Sequence, residues 1–111
     1  MKTLIAAAAL IPALIMSGAQ AQNDGKNRQV KIINKTSEIM TKFYASRIGT
    51  DGWGKDRLGD QVLRRNYEIE LNITDGSNAC RFDLRAVFDN GEESTRFDFN
   101  VCTEVSITFR D

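Results

Sequence analysis

The stretch from Cys80 to Cys102 constrains the fold more than any other. It reads CRFDLRAVFDNGEESTRFDFNVC, two alternating runs around Asn90-Gly91 with a cysteine at each outer end. Phe82, Leu84, Ala86 and Phe88 share one parity, and Arg81, Asp83 and Arg85 the other. On the return, Phe97, Phe99 and Val101 are apolar against Arg96, Asp98 and Asn100. Alternation with period two marks half-buried strands. Asn-Gly favours a two-residue type I′ turn, whose central residues both need positive φ. Such a turn sets Phe82 opposite Phe99 and Leu84 opposite Phe97, all on one face. It also sets Cys80 opposite Val101, with Cys102 on the other face. A disulfide needs Cα atoms roughly 4.4–6.8 Å apart and converging Cβ vectors. The register therefore predicts a bulge or bend, expected beside Cys102.

The beginning of the chain has a different character. Lys2 gives a positive start, Leu4 to Met16 is apolar, and Ala19-Gln20-Ala21 is a small-residue cleavage motif. Residues 1–21 read as a secretory signal peptide, too short to cross a membrane as a helix. The absence of a twin arginine points to the general export route. No cysteine follows the apolar run, so no lipid anchor is expected at that position. The expected location is periplasmic or extracellular. Residues 22–29 are polar and expected as a flexible tail, leaving residues 30–111 as one domain. A chain of this size buries only roughly 60–65% of its unfolded surface, so its core is thin. Two cysteines in an oxidising compartment are expected to pair. A bond between Cys80 and Cys102 contributes about 3 kcal/mol in the chain-entropy model. A reactive redox pair is disfavoured by a spacing far from C-x-x-C.

Further strands are expected at Val30 to Asn34, at Ile39 to Ile48 and around Tyr67, Ile69, Leu71 and Ile73. The last is expected through Val105, Ile107 and Phe109. Lys35-Thr36-Ser37 should turn through hydroxyl-to-backbone bonds. Pro12 is the single proline and precedes the expected cleavage point, so none interrupts a strand of the domain. Six or seven short strands with regular turn signals predict an all-β fold: a small antiparallel β-sandwich, immunoglobulin-like or similar, with one disulfide.

Formal charge is zero and there is no histidine. A general nucleic-acid-binding field is absent, and Ser-His-Asp, Cys-His and imidazole-zinc chemistry is excluded. No cofactor or metal is expected, and no membrane contact after cleavage. The connection from Gly49 to Asp60 stands apart, with four glycines, three aspartates and the only tryptophan. Trp53 could bind a ligand, but with Leu58 it is expected to fold down as a buried lid on one end of the sandwich. Asp51, Asp56 and Asp60 lack the spacing of a calcium loop and suit turns or caps. The polar face of the hairpin is the second candidate. The type I′ register sets Asp83 opposite Asp98 and Arg85 opposite Arg96. Ion pairs then run along the diagonals, Asp83 to Arg96 and Arg85 to Asp98. Such a checkerboard is either a solvated network or a recognition patch. Trp53, Asp56, Arg57, Asp83, Arg85, Arg96 and Asp98 form the candidate binding surface.

Phe43-Tyr44-Ala45-Ser46, Trp53-Gly54, Asp56-Arg57-Leu58-Gly59, Val62-Leu63, the run Cys80 to Phe88 and Val101-Cys102 resemble a group of small exported bacterial proteins without an established activity. The resemblance spans most of the residues after the leader. Members of that group often carry Pro-x-Gly after the Val-Leu pair, where this chain has Arg64-Arg65-Asn66. Some bear the name argininosuccinate lyase. That enzyme is a several-fold longer helical tetramer with a Gly-Ser-Ser signature loop, and nothing in this sequence matches it. The expected function is a binding or interaction module with no catalysis of its own, for a protein or a small polar ligand. The competing expectations are a small carboxylate- or metal-dependent hydrolase, and a structural or inhibitory partner acting by strand addition.

Overall fold

A computed structural model of the chain describes residues 24–111. The expected leader, residues 1–21, lies outside the described residues. Six strands form: β1 (Gln29–Lys35), β2 (Met40–Arg47), β3 (Glu68–Asn72), β4 (Arg81–Phe88), β5 (Glu93–Asn100) and β6 (Ser106–Arg110). They make two three-stranded sheets, ordered β3-β1-β6 and β2-β4-β5. The fold is the small β-sandwich that the alternating patterns imply. One pair departs from the antiparallel expectation: β6 runs parallel to β1.

Alternation puts one apolar row of each strand between the sheets. Val30 and Ile32 of β1 meet Phe43 and Ala45 of β2, Phe82, Leu84, Ala86 and Phe88 of β4, and Ile107 and Phe109 of β6, all buried. Phe43 and Phe109 meet edge to face at 6.2 Å. Asn34 continues the inward row of β1 and is fully buried. Its Nδ2 donates to the carbonyls of Glu38 and Leu63, both at 2.9 Å. Its Oδ1 accepts from the Thr36 N–H at 3.0 Å and the Thr36 hydroxyl at 2.7 Å. The side chain is fully satisfied, which is the condition on which a buried amide is tolerated. The Thr36 hydroxyl oxygen also accepts from the Glu38 N–H at 3.2 Å, the turn chemistry expected there.

The central hairpin corrects the expected register. The Phe88 N–H donates to the Glu92 carbonyl, the Gly91 N–H donates to the Phe88 carbonyl, and of the residues between Phe88 and Glu92 only Gly91 has positive φ, at 89°. The loop therefore spans Asp89-Asn90-Gly91, the three-residue form with a left-handed glycine, and not the two-residue turn. The extra residue flips the parity of the near end of β5. Leu84 pairs with Arg96, and Arg85 with Thr95. Phe97, expected in the core, points outward and is 65% exposed. A bulge between Phe82 and Leu84 then restores the expected pairing of Phe82 with Phe99. Phe97 and Asp98 together face Asp83 there, with Asp98 at φ 57° and its N–H donating to Asp83 Oδ1 at 2.9 Å. The bulge thus lies inside β5 and not beside Cys102. A turn follows at Val101-Cys102-Thr103 and brings the sulfurs together, with Cα atoms 5.3 Å apart.

The tail expectation also changes at its inner end. Arg28 is buried. Its guanidinium takes Asp24 in a two-pronged pair at 2.8 and 2.9 Å and donates to the carbonyls of Asn78 and Ala79. Its Nη2 lies 3.8 Å from Cys80 Sγ. The chain from Asp24 onward is thereby fastened to the loop that enters the disulfide.

Candidate functional site

The two long sides of the sandwich differ. On the β2/β3 side, the connection after Trp53 returns along the free edge of β2. Leu63 and Met40 exchange both backbone bonds at 2.9 Å. Asp56 Oδ1 accepts from the N–H groups of Phe43 and Leu58, at 2.9 and 3.0 Å, which satisfies the edge and the turn together. Leu58 and Leu63 plug the gap and are buried. Arg57 spans the sheets, donating to the carbonyls of Ala45 and Thr74 at 2.9 Å each. Desolvation pulls its pKa below the ordinary guanidinium value, and the charge of Asp75 opposes this. Asp56 and Arg57, two of the candidate binding residues, therefore close this side.

The outer face of the β2-β4-β5 sheet gathers two more candidates. Tyr44 is the cross-strand neighbour of Arg85. The Arg85 guanidinium sits 5.3 Å from the Tyr44 ring centre and 5.8 Å from that of Trp53. Glu93 grips it with both oxygens, at 3.0 and 2.7 Å. The hydrogen bond to Glu93 raises the Arg85 pKa, and the same bond holds Glu93 below the usual carboxylate range. Trp53 is thus half-buried on a sheet face, and not a buried lid over one end.

The checkerboard does not form, because its diagonals belonged to the other register. Arg81 takes Asp98 at 2.9 Å and Asp83 takes the Asp98 backbone. Arg96 lies across from Leu84, on the inward parity of an edge strand, and has no ion-pair partner among the described residues.

The β5/β6 side is open: both strands end their sheets. In a parallel ladder, alternate residues bond to a given neighbour. Lys31 donates to the Val105 carbonyl at 2.9 Å, which sets the phase. The backbone groups of Ser106, Thr108 and Arg110 then face away from β1. Between the two edges lie two hollows. One, of about 530 Å³, has Phe97, Phe99, Ile107, Arg96 and Glu104 in its wall. The other, of about 390 Å³, has Phe88 and Phe109 beside one cation, Arg110, and four carboxylates, Glu38, Glu92, Glu93 and Asp111. A hydrogen bond with Asp89, reinforced by burial and neighbouring carboxylates, raises the Glu38 pKa above the ordinary value.

Tyr44, Glu93, Phe97 and Thr108 are not among the sequence-derived candidate binding residues, and Phe97 was expected in the core. Tyr44 carried a signal, an aromatic on the outward parity of β2. The role of Thr108 depends on the parallel pairing, which no local pattern announces. Among the described residues, no three Cys, Asp or Glu side chains come together as a metal site. No protein-family model, curated protein or solved structure matches the chain.

Proposed function

We propose that this protein is an interaction module, without catalysis of its own, that takes up an extended segment of another polypeptide along β6. The observation that supports this most is the asymmetry of the open side. Edge strands are templates for pairing, and proteins guard them with bulges and inward-pointing charges. β5 has both guards: the Phe97-Asp98 bulge and Arg96. β6 has neither, and offers Ser106, Thr108 and Arg110 on a straight edge. Backbone bonds to a free edge supply affinity in strand addition, and side-chain hollows supply selectivity. The Phe97–Ile107 hollow, walled mostly by polar groups such as Arg96, Asp98, Asn100 and Glu104, suits a polar side chain. The carboxylates around Glu38 suit a lysine or arginine, a complementarity that steers encounter. As an exported chain, the module would meet this partner in the periplasm or outside the cell.

The test is selection from a displayed library of random peptides, using the protein without its leader, followed by Thr108→Pro. The N–H that proline removes faces the open edge, so the sheet keeps its own bonds. The expected result is basic peptides that bind the parent and lose about tenfold or more with Thr108→Pro, at an unchanged melting temperature. Recovery of no peptide, or of peptides that bind both proteins equally, would overturn the reading.

A further inference from the structure

We propose a second binding site, for a single pyranose ring of a saccharide, in the hollow beside Trp53. It lies at the β2 edge of its sheet, away from the β5/β6 side, and does not rest on the β6 reading. The hollow has a volume of about 150 Å³, and its wall includes Trp53, Ser46, Thr50, Asp51, Lys55 and Asp75.

Three features make this a site and not a crease between loops. The first is a fixed ring. Trp53 is held against Arg85, and Arg85 is held by both oxygens of Glu93. A platform ordered before binding loses little freedom when a ligand arrives. The second is access. Gly52 and Gly54 flank Trp53 at φ 77° and 76°, and nothing lies within 4 Å of a Cβ built at either. The backbone beside the indole therefore carries no side chain that would cover it. The third is the rim. Asp51 and Lys55 make no side-chain hydrogen bond or ion pair among the described residues, so an acceptor and a donor stand free. Asp75, by contrast, is engaged with Ser77 and Arg47.

The chemistry of these parts selects the ligand. A flat aromatic surface beside polar groups of both signs matches a ring with an apolar C–H face and hydroxyls at its perimeter. A cationic ligand is disfavoured: Arg85 already contacts the indole, and Lys55 and Arg57 stand in the same wall. A flat aromatic ligand would offer no hydrogen-bonding perimeter to the exposed Asp51 and Lys55. The volume admits one ring of a chain, with neighbouring rings extending into solvent.

Trp53 is the only tryptophan, so its emission reports on this site alone. The protein without its leader is titrated with glucose, galactose, mannose and N-acetylglucosamine, and with the β1,4-linked trimers of glucose and N-acetylglucosamine. Sorbitol serves as the open-chain control, and saturation-transfer NMR is recorded in parallel. The expected result is a saturable response to at least one pyranose in the millimolar range, with no response to sorbitol. Asp51→Asn and Lys55→Gln should each weaken it by about tenfold, the loss expected for a hydrogen bond to a charged group. Both should melt with the parent, since neither residue holds the fold. Absence of saturable binding by both methods, an equal response to sorbitol, or undiminished affinity in both variants would overturn the proposal.

Discussion

Asn34 shows how much a single residue can hold. It occupies an apolar-parity position in β1, after Val30 and Ile32, and is fully buried. Its amide joins the β1–β2 turn to the segment that closes the β2/β3 side, through the Glu38 and Leu63 carbonyls. Asn34→Asp keeps the shape but sets a carboxylate against two carbonyls. We expect a loss of about 3 kcal/mol or more, within the range for an uncompensated buried charge. In a domain of this size that lowers the melting temperature by roughly 10 °C or more at neutral pH. A melt within a few degrees of the parent would show that the turn rearranges to release the carbonyls. Trp53 gives the opposite case. Its partly covered ring rests on a guanidinium outside the core, so Trp53→Ala should cost about 1–2 kcal/mol, a cation–π contact plus partial apolar burial. A thermal melt distinguishes this from the ~3 kcal/mol or more of a core aromatic.

At the scale of elements, the parity of β4 was legible and the register of β5 was not. Phe82, Leu84, Ala86 and Phe88 are buried as their alternation requires. Asn90-Gly91, however, fits both a two-residue and a three-residue loop, since a glycine in the left-handed region serves either. The choice is made by what lies downstream. Parity flips at the turn and flips back at Phe97-Asp98, so Phe82 meets Phe99 either way. Residues between the two flips were misassigned: Phe97 lost its place in the core, and Arg85 exchanged Asp98 for Glu93. The candidate site failed at the same point, because the expected checkerboard depended on the region between the flips. The lid residue Leu58 was legible as an apolar side chain in a polar loop, whereas the landing of Trp53 on Arg85 was not. The guarded edge makes a prediction of its own. Arg96→Val replaces the inward charge of β5 with a β-branched residue. The variant should self-associate with rising concentration in sedimentation or light scattering, while the parent does not. A variant that stays dispersed would mean the bulge alone guards the edge.

Across the whole molecule, charge is arranged so that acid acts on its two ends in opposite directions. At one end, hydrogen bonding to Arg28 holds Asp24 far below the usual carboxylate range. A depressed pKa contributes stability above the unfolded value and loses it as pH falls toward the folded one. At the other end, Asp89 raises the Glu38 pKa, with Glu92 and Asp111 adding to it. A raised pKa contributes stability below the unfolded value, and that contribution is lost as pH rises through the folded one. The carboxylates around Glu38 therefore strain the fold at neutral pH and relax on acidification. Glu38→Gln should then be more stable than the parent at pH 7, with the advantage shrinking toward about pH 4, where an unperturbed glutamate is itself half protonated. Asp24→Asn should be less stable at pH 7, and its deficit should close only below the ordinary aspartate range. Urea titrations of the three proteins across this interval measure both differences. Curves that run parallel at every pH would show that neither carboxylate couples to folding through its proton. A Glu38→Gln advantage that persists into acid would show that the amide gains by a hydrogen bond and not by relief of repulsion. If the advantage disappears on acidification and the same substitution weakens capture of basic peptides, one group is both the source of strain and part of the recognition surface.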